Sequence, residues 1–257
     1  MKQTGRLINF FLNNEMRNKN QLIVSIGIPT LLMILMGIMG KNQSETQGYG
    51  FPYMTYLLPG IVIMSFLATA VITLPVIIVG YREKGIFKRI MIAPIAKIKI
   101  VIGIFASQFL SMILQAAIII LLAYMVFDVR LAINKTIIMA LVPFILFSMI
   151  SLLAMGFMIS GFSKNQRTAT TLGSTLNLIF PFLSGTYFPA DTWPDVFQPI
   201  IKVLPTTHII DLLRRCVVFP ITNNEYPVLD SFVEPIVILL LATVIFVVIG
   251  LKRFDWK

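Results

Sequence analysis

The chain carries one histidine, His208, and one cysteine, Cys216. A protein metal site needs three or four converging His, Cys, Asp or Glu ligands, and no cluster here has that spacing. A single cysteine forms no internal disulfide, so Cys216 is expected as a small apolar filler. No GxxxxGK[ST] phosphate loop occurs, which excludes nucleotide hydrolysis by that route. The apolar stretches hold only mild polar groups. Ser107, Gln108, Ser111 and Gln115 lie in the third, and Ser174, Thr175 and Asn177 in the fifth. Proton relays and acid–base chemistry at membrane depth need ionisable groups there. Within these stretches Asp, Glu, Lys and His are absent, and Arg167 sits at a boundary. Both chemistries are therefore disfavoured. The polar groups read as packing, with the fifth-stretch set the best candidate for lining a path.

The elements that must position these groups follow from composition. Of 257 residues, 57% are hydrophobic and 12% charged, and mean hydropathy is +0.88. A soluble domain of this size cannot hide so much apolar surface, and disordered chains are polar. An all-α integral membrane protein remains, organised as a single transmembrane domain over 1–257. Six stretches are long enough to cross a bilayer: 22–39, 57–79, 100–127, 136–160, 167–183 and 235–251. They are continuously apolar rather than alternating, so helices are expected. Small residues at Ser107/Ser111 and Gly156/Ser160 permit close helix approach.

An even number of spans puts both termini on one side. That side holds 15 of the 21 Lys and Arg, and the other side 6. Basic residues favour the cytoplasm, so both termini are expected there, in the plasma membrane of a bacterial cell. The first apolar run lacks an A-x-A exit and reads as a retained span, not a cleaved signal. The net charge of +10 is read as this topology bias, without nucleic-acid binding.

Before the first span, residues 5–20 place Leu7, Phe10 and Phe11 at helical spacing, with Arg17 and Lys19 beyond. Such a helix is expected in the interface, apolar side in lipid and basic side toward headgroups. Between spans two and three, 81–97 carries Ile86, Phe87, Ile90 and Met91 as an apolar stripe, with Lys84, Lys88 and Arg89 on other faces. Pro94 ends that helix. A short amphipathic helix of this kind is a docking element whose ridge needs a groove.

These residues resemble a known family. Glu83-Lys84-Gly85-Ile86-Phe87-Lys88-Arg89-Ile90, with Pro94 beyond, is similar to the E-x-G-T-x-x-R-[LI]…P stretch of ABC-2 type transporter permeases, except that Ile86 stands where Thr is usual. Ser184-Gly185-Thr186-Tyr187-Phe188-Pro189 with Pro194 resembles the family's S-G-x-x-F-P…P stretch. Leu204-Pro205-Thr206-Thr207-His208 with Arg214 resembles its L-P-x-[ST]-[YH]…R stretch. The resemblance implies that Arg82, Glu83, Lys84, Gly85, Ile86, Phe87, Arg89, Ile90 and Pro94 form a coupling helix seated on a separate ATPase subunit. It also implies short re-entrant helices within 184–220, on the outer side between spans five and six.

On that reading Asn177, Phe180, Tyr187, Phe188, His208, Asp211 and Arg214 are the candidates for a pathway or outer gate. Asp211 and Arg214, at i, i+3, are expected to pair on one helix face. His208 and Trp193 read more simply as interfacial residues. The chain itself is expected to bind no cofactor and to catalyse nothing. ATP and Mg belong to the ATPase partner, and a second permease subunit completes the path. The expected function is export of a hydrophobic or amphipathic compound: a drug, antibiotic, antimicrobial peptide or lipid. Alternatives are polysaccharide export, or a sensor or immunity protein that binds a toxic peptide without transport.

Overall fold

The structure, a computed structural model, describes residues 2–40, 53–87, 97–129, 135–187, 192–217 and 233–254. Every secondary-structure element among these residues is a helix. Helix α1 (Lys2–Met16) leads into α2 (Lys19–Leu22), a π turn (Ile23–Gly27) and α3 (Ile28–Gly40). Next come α4 (Tyr53–Ala68), a second π turn (Thr69–Thr73) and α5 (Leu74–Glu83), then α6 (Lys97–Phe127) and α7 (Lys135–Phe162). The remaining helices are α8 (Gln166–Leu183), α9 (Gln198–Val203), α10 (Pro205–Val217) and α11 (Val233–Arg253).

Both π turns have the same local cause. Each is closed by the residue preceding a proline, Ile28-Pro29 or Leu74-Pro75. Proline cannot donate to the helix ladder, and its ring crowds the carbonyl four residues back. Widening the helix by one residue relieves that crowding. The Ile28 N–H accordingly bonds the Ile23 carbonyl, and the Leu74 N–H bonds the Thr69 carbonyl, each five residues back.

Among the described residues, five helical stretches are long and apolar enough to cross a membrane: Ile23–Gly40, Tyr53–Glu83, Lys99–Phe127, Leu141–Phe162 and Val233–Arg253. Tyr53–Glu83 is the central one: 83% of its apolar window is buried, against 17% for Val233–Arg253. Around it pack α3, α6, α7, α8 and α10, while α11 lies against α7. The second π turn is where α7 and α8 come closest. Any Cβ at Gly156 would strike the Ala70 carbonyl, and any Cβ at Gly173 the Val71 carbonyl. Only glycine permits these two approaches.

Two features differ from the sequence reading. The fifth expected span is a helix of 18 residues, α8, but a stripe of Gln, Arg, Thr and Ser along its first half keeps it out of the apolar set. It is amphipathic, and its buried residues are Ala169, Gly173, Asn177 and Pro181. The N-terminal helix also sits otherwise than expected. Phe10 is exposed, but Phe11 is buried. The Phe11 ring lies 5.7 Å from that of Tyr81, and Leu7 and Phe11 close over Gly103 of α6. Residues 7–11 thus split, one side packing on protein instead of the whole apolar face entering lipid. The helix ends at Met16, before Arg17 and Lys19.

Candidate functional site

Three places gather the candidate residues. The first is the end of α5. The helix stops at Glu83 because Lys84–Gly85 turns, with Gly85 at φ +62°, a conformation that side chains with a Cβ resist. Helix resumes at Ile86–Phe87. Arg82 donates to the carbonyl of Ser163 in the α7–α8 link. The Gln166 N–H donates to Glu83 Oε1 at 3.3 Å, and Gln166 Nε2 to the Val76 carbonyl at 3.4 Å. Asn165 caps α8 by accepting from the Thr168 N–H at 2.8 Å. The end of α5 and the start of α8 therefore move as one knot.

The second place is a cavity of about 480 Å³ between α3, α4, the second π turn and α8. Val24, Ile28, Leu32 and Met36 form one wall. Met64, Ile72, Leu178, Pro181, Phe182 and Tyr187 form the rest, with Ser174 and Asn177 as the polar members. The Tyr187 hydroxyl donates to Met64 Sδ at 3.1 Å, and its ring lies 5.0 Å from Phe182. Asn177 is buried, and its Oδ1 has no hydrogen-bond partner. A buried acceptor left unpaired costs about 1–3 kcal/mol.

The third place adjoins that cavity through Tyr187. Arg214 of α10 is buried, donating from Nε to the Tyr56 carbonyl at 3.2 Å and from Nη2 to the Thr186 carbonyl at 3.0 Å. Its guanidinium stands 3.6 Å from the centre of the Tyr56 ring. Around it, Ser184 and Thr206 share a hydroxyl bond. The Tyr53 hydroxyl donates to the Tyr187 carbonyl at 3.1 Å. Gly185, at φ +80°, makes the turn that brings Thr186 against Gly60 of α4. This arrangement clamps α10 and the chain after α8 onto the start of α4.

None of these places has reactive chemistry. Among the described residues no group of three His, Cys, Asp or Glu could hold a metal. Buried carbonyls, one cation over a ring and an apolar cavity can bind and move, but make no bonds. The model of the ABC-2 type transporter family matches residues 2–218, from α1 through α10. The chain belongs to the ABC-2 type transporter family. Among curated proteins, none matches it. Family membership makes this a multi-pass membrane permease, the transmembrane component of an ABC transporter and not its catalytic part. It also implies an ATPase partner.

In this ABC-2 permease the expected residues fall into separate groups. Asn177 and Tyr187 meet at the cavity, and Arg214 joins them through Thr186. Phe180 is half-buried and packs against the core without lining the cavity. His208 Nε2 bonds the Lys202 carbonyl at 2.8 Å, on the link between α9 and α10. The Asp211–Arg214 pair is corrected: Asp211 binds Arg215, at 2.7 Å and i, i+4, because Arg214 turns inward to the carbonyls. Of the expected docking ridge, Phe87 is buried, edge-on to Tyr81 at 6.1 Å, and Met91 lies outside the described residues. Lys84 is exposed and Ile86 half-buried. Arg89, Ile90, Pro94 and Phe188 lie outside the described residues. Sequence reasoning missed Tyr56, Arg215 and Phe182. Tyr56 and Phe182 carry no polar signal that separates them from neighbouring aromatics.

Proposed function

We propose that this permease exports a hydrophobic or amphipathic compound carrying a hydrogen-bond donor, powered by a separate ATPase subunit. The observation that carries the reading is the cavity. Its wall is aliphatic, aromatic and thioether, with Ser174 and Asn177 as its polar members, and the buried Asn177 Oδ1 has no partner. Cavities of a few hundred Å³ with an apolar lining and few polar groups suit drug-sized amphipathic ligands. A second permease subunit encloses the path, since a single chain offers one wall. Helix α8 serves as the fifth of six spans, its polar stripe turned toward that path, and residues 184–220 form the outer re-entrant stretch. Both termini lie in the cytoplasm of a bacterial cell, and the segment after Glu83 seats on the ATPase.

Coupling then follows from the knot at the end of α5. Nucleotide-driven movement of Lys84–Phe87 pulls Arg82 and Glu83, and through them the α7–α8 link. Helix α8 carries Asn177, so displacement at one end reshapes the cavity wall. Phe87 keeps the segment stiff by anchoring it to Tyr81, leaving Lys84 and Ile86 for the partner.

The test uses the permease reconstituted with its ATPase and a lipophilic fluorescent amine as probe. Asn177→Leu keeps the branched shape and removes the acceptor. It is expected to raise the probe concentration for half-maximal ATPase stimulation about tenfold, one hydrogen bond's worth. An unchanged response in both Asn177→Leu and Phe182→Ala would remove the cavity from the account.

A further inference from the structure

Glu15, the carboxylate near the end of α1, is 2% exposed. The sequence places it in the amphipathic N-terminal segment 5–20, outside every membrane-spanning stretch, yet it sits against α6. Its Oε1 accepts from Ser111 Oγ at 2.8 Å and its Oε2 from Gln108 Nε2 at 2.8 Å. The line continues inward. Gln115 Nε2 donates to Ser111 Oγ at 3.2 Å and to Thr69 Oγ1 at 2.8 Å. Thr69 is the first residue of the second π turn, and its carbonyl takes the five-residue bond from Leu74. A continuous side-chain path thus joins the N-terminal helix to the widened turn of the central helix. Thr69, Ser111 and Gln115 are all buried, as is Gln108.

A second observation concerns protons. Gln108 Oε1 is buried without a partner. An ionised Glu15 only accepts, whereas a neutral one also carries an O–H. That donor is what the orphaned acceptor, on the amide already bonded to Glu15, requires. Two adjacent groups of this kind pair through complementary bonds in the neutral state and leave one acceptor empty in the ionised state.

We propose that Glu15 is a proton-operated latch: neutral, it holds α1 on α6 and fixes the π turn through Ser111 and Gln115, and on ionisation it lets α1 loosen. The titration lies in a useful range. Burial pushes the Glu15 carboxyl up to about 7, against the smaller downward pull of Ser111 and Gln108. The titratable group facing it from the central helix is Tyr81, whose ring also meets Phe11. Among the described residues no cation contributes to the shift of Glu15. The sign follows. The seated carboxyl holds its proton more tightly than a solvated one, so seating is strongest at low pH. Seating weakens as pH rises from the ordinary carboxylate value to about 7, and above that it stays at its weakest.

The test needs neither ATP nor cargo, so it stands apart from the export reading. Full-length chain in lipid nanodiscs, with Cys216 replaced by Ala, is spin-labelled at Phe10→Cys and Leu114→Cys, both exposed positions. Distances are measured from about pH 5 to about pH 9. The expected result is one short distance at low pH, and broadening as pH rises, complete near 7. In Glu15→Gln, which is neutral at every pH, the short distance persists throughout. Wild-type distances that do not change with pH, or a Glu15→Gln protein that broadens like wild type, overturn the latch. Should Glu15→Gln fail to insert, Ser111→Ala decides. Loss of a donor to the carboxylate shifts the broadening to higher pH, and an unshifted profile overturns the proposal.

Discussion

At the level of single residues, the permease treats two adjacent arginines differently, and the difference predicts their mutants. Arg214 is buried on two carbonyls and a ring face, whereas Arg215 makes a half-exposed pair with Asp211. A planar fork over an aromatic ring is not replaced by an ammonium. Arg214→Lys is therefore expected to destabilise by about 1–3 kcal/mol, seen as a lower unfolding midpoint in detergent or nanodiscs. Arg215→Ala should cost no more than about 0.5 kcal/mol. Equal midpoints for the two variants would contradict the clamp. The sequence placed a basic residue at 214 but could not say which way it faces. Asp211 stands three residues before Arg214 and four before Arg215, and either spacing permits a pair. Burial of the carbonyls of Tyr56 and Thr186 made the choice, and that burial depends on partners 158 and 28 residues away. Glu15 was hidden for the same reason. Nothing in its local sequence marks it for burial, and its partners lie on α6.

Among the elements, the long helices were legible, since a run of apolar residues has one stable form in lipid. The π turns were also written in the sequence, as Ile28-Pro29 and Leu74-Pro75, but hydropathy does not register a missing donor. Pro75→Ala restores an N–H to the ladder and is expected to let Thr69–Leu74 tighten to regular helix. Hydrogen exchange across 69–75 would then slow, and unaltered exchange would assign the widening to another cause. Gly173→Ala tests the same turn from the α8 side. Its Cβ meets the Val71 carbonyl, and forcing backbones apart at such a contact costs about 1–3 kcal/mol. A fully stable Gly173→Ala protein would mean that α8 is not seated as described. Helix α8 was the hardest element to read. Its first half holds three Thr with Gln166, Arg167 and Ser174, and its buried positions serve the central helix, not a uniform lipid surface. The docking segment was half legible: its charge and apolar residues were visible, but the turn at Gly85 and the inward turn of Phe87 against Tyr81 were not.

Over the whole molecule, the central helix Tyr53–Glu83 is the common support. One end is clamped by Arg214 and the chain after α8. The middle is widened and touched by Gly156, Gly173 and the Glu15 line. The other end is knotted to the α7–α8 link. On the proposed coupling, a push at Lys84–Phe87 reaches the cavity wall through the bonds of Arg82 and Glu83 to the α7–α8 link and the start of α8. Gly85→Pro breaks that route at its start, because proline cannot adopt φ +62°. It should uncouple ATP hydrolysis from probe movement while leaving the membrane-inserted fold unchanged; retained coupling would move the force-receiving point elsewhere. The most direct measurement is vectorial movement of the lipophilic amine in proteoliposomes, with and without the ATPase subunit and ATP. The account predicts accumulation only when permease, ATPase and ATP are all present. Directional movement by the permease alone, or by permease and ATPase without ATP, would contradict it.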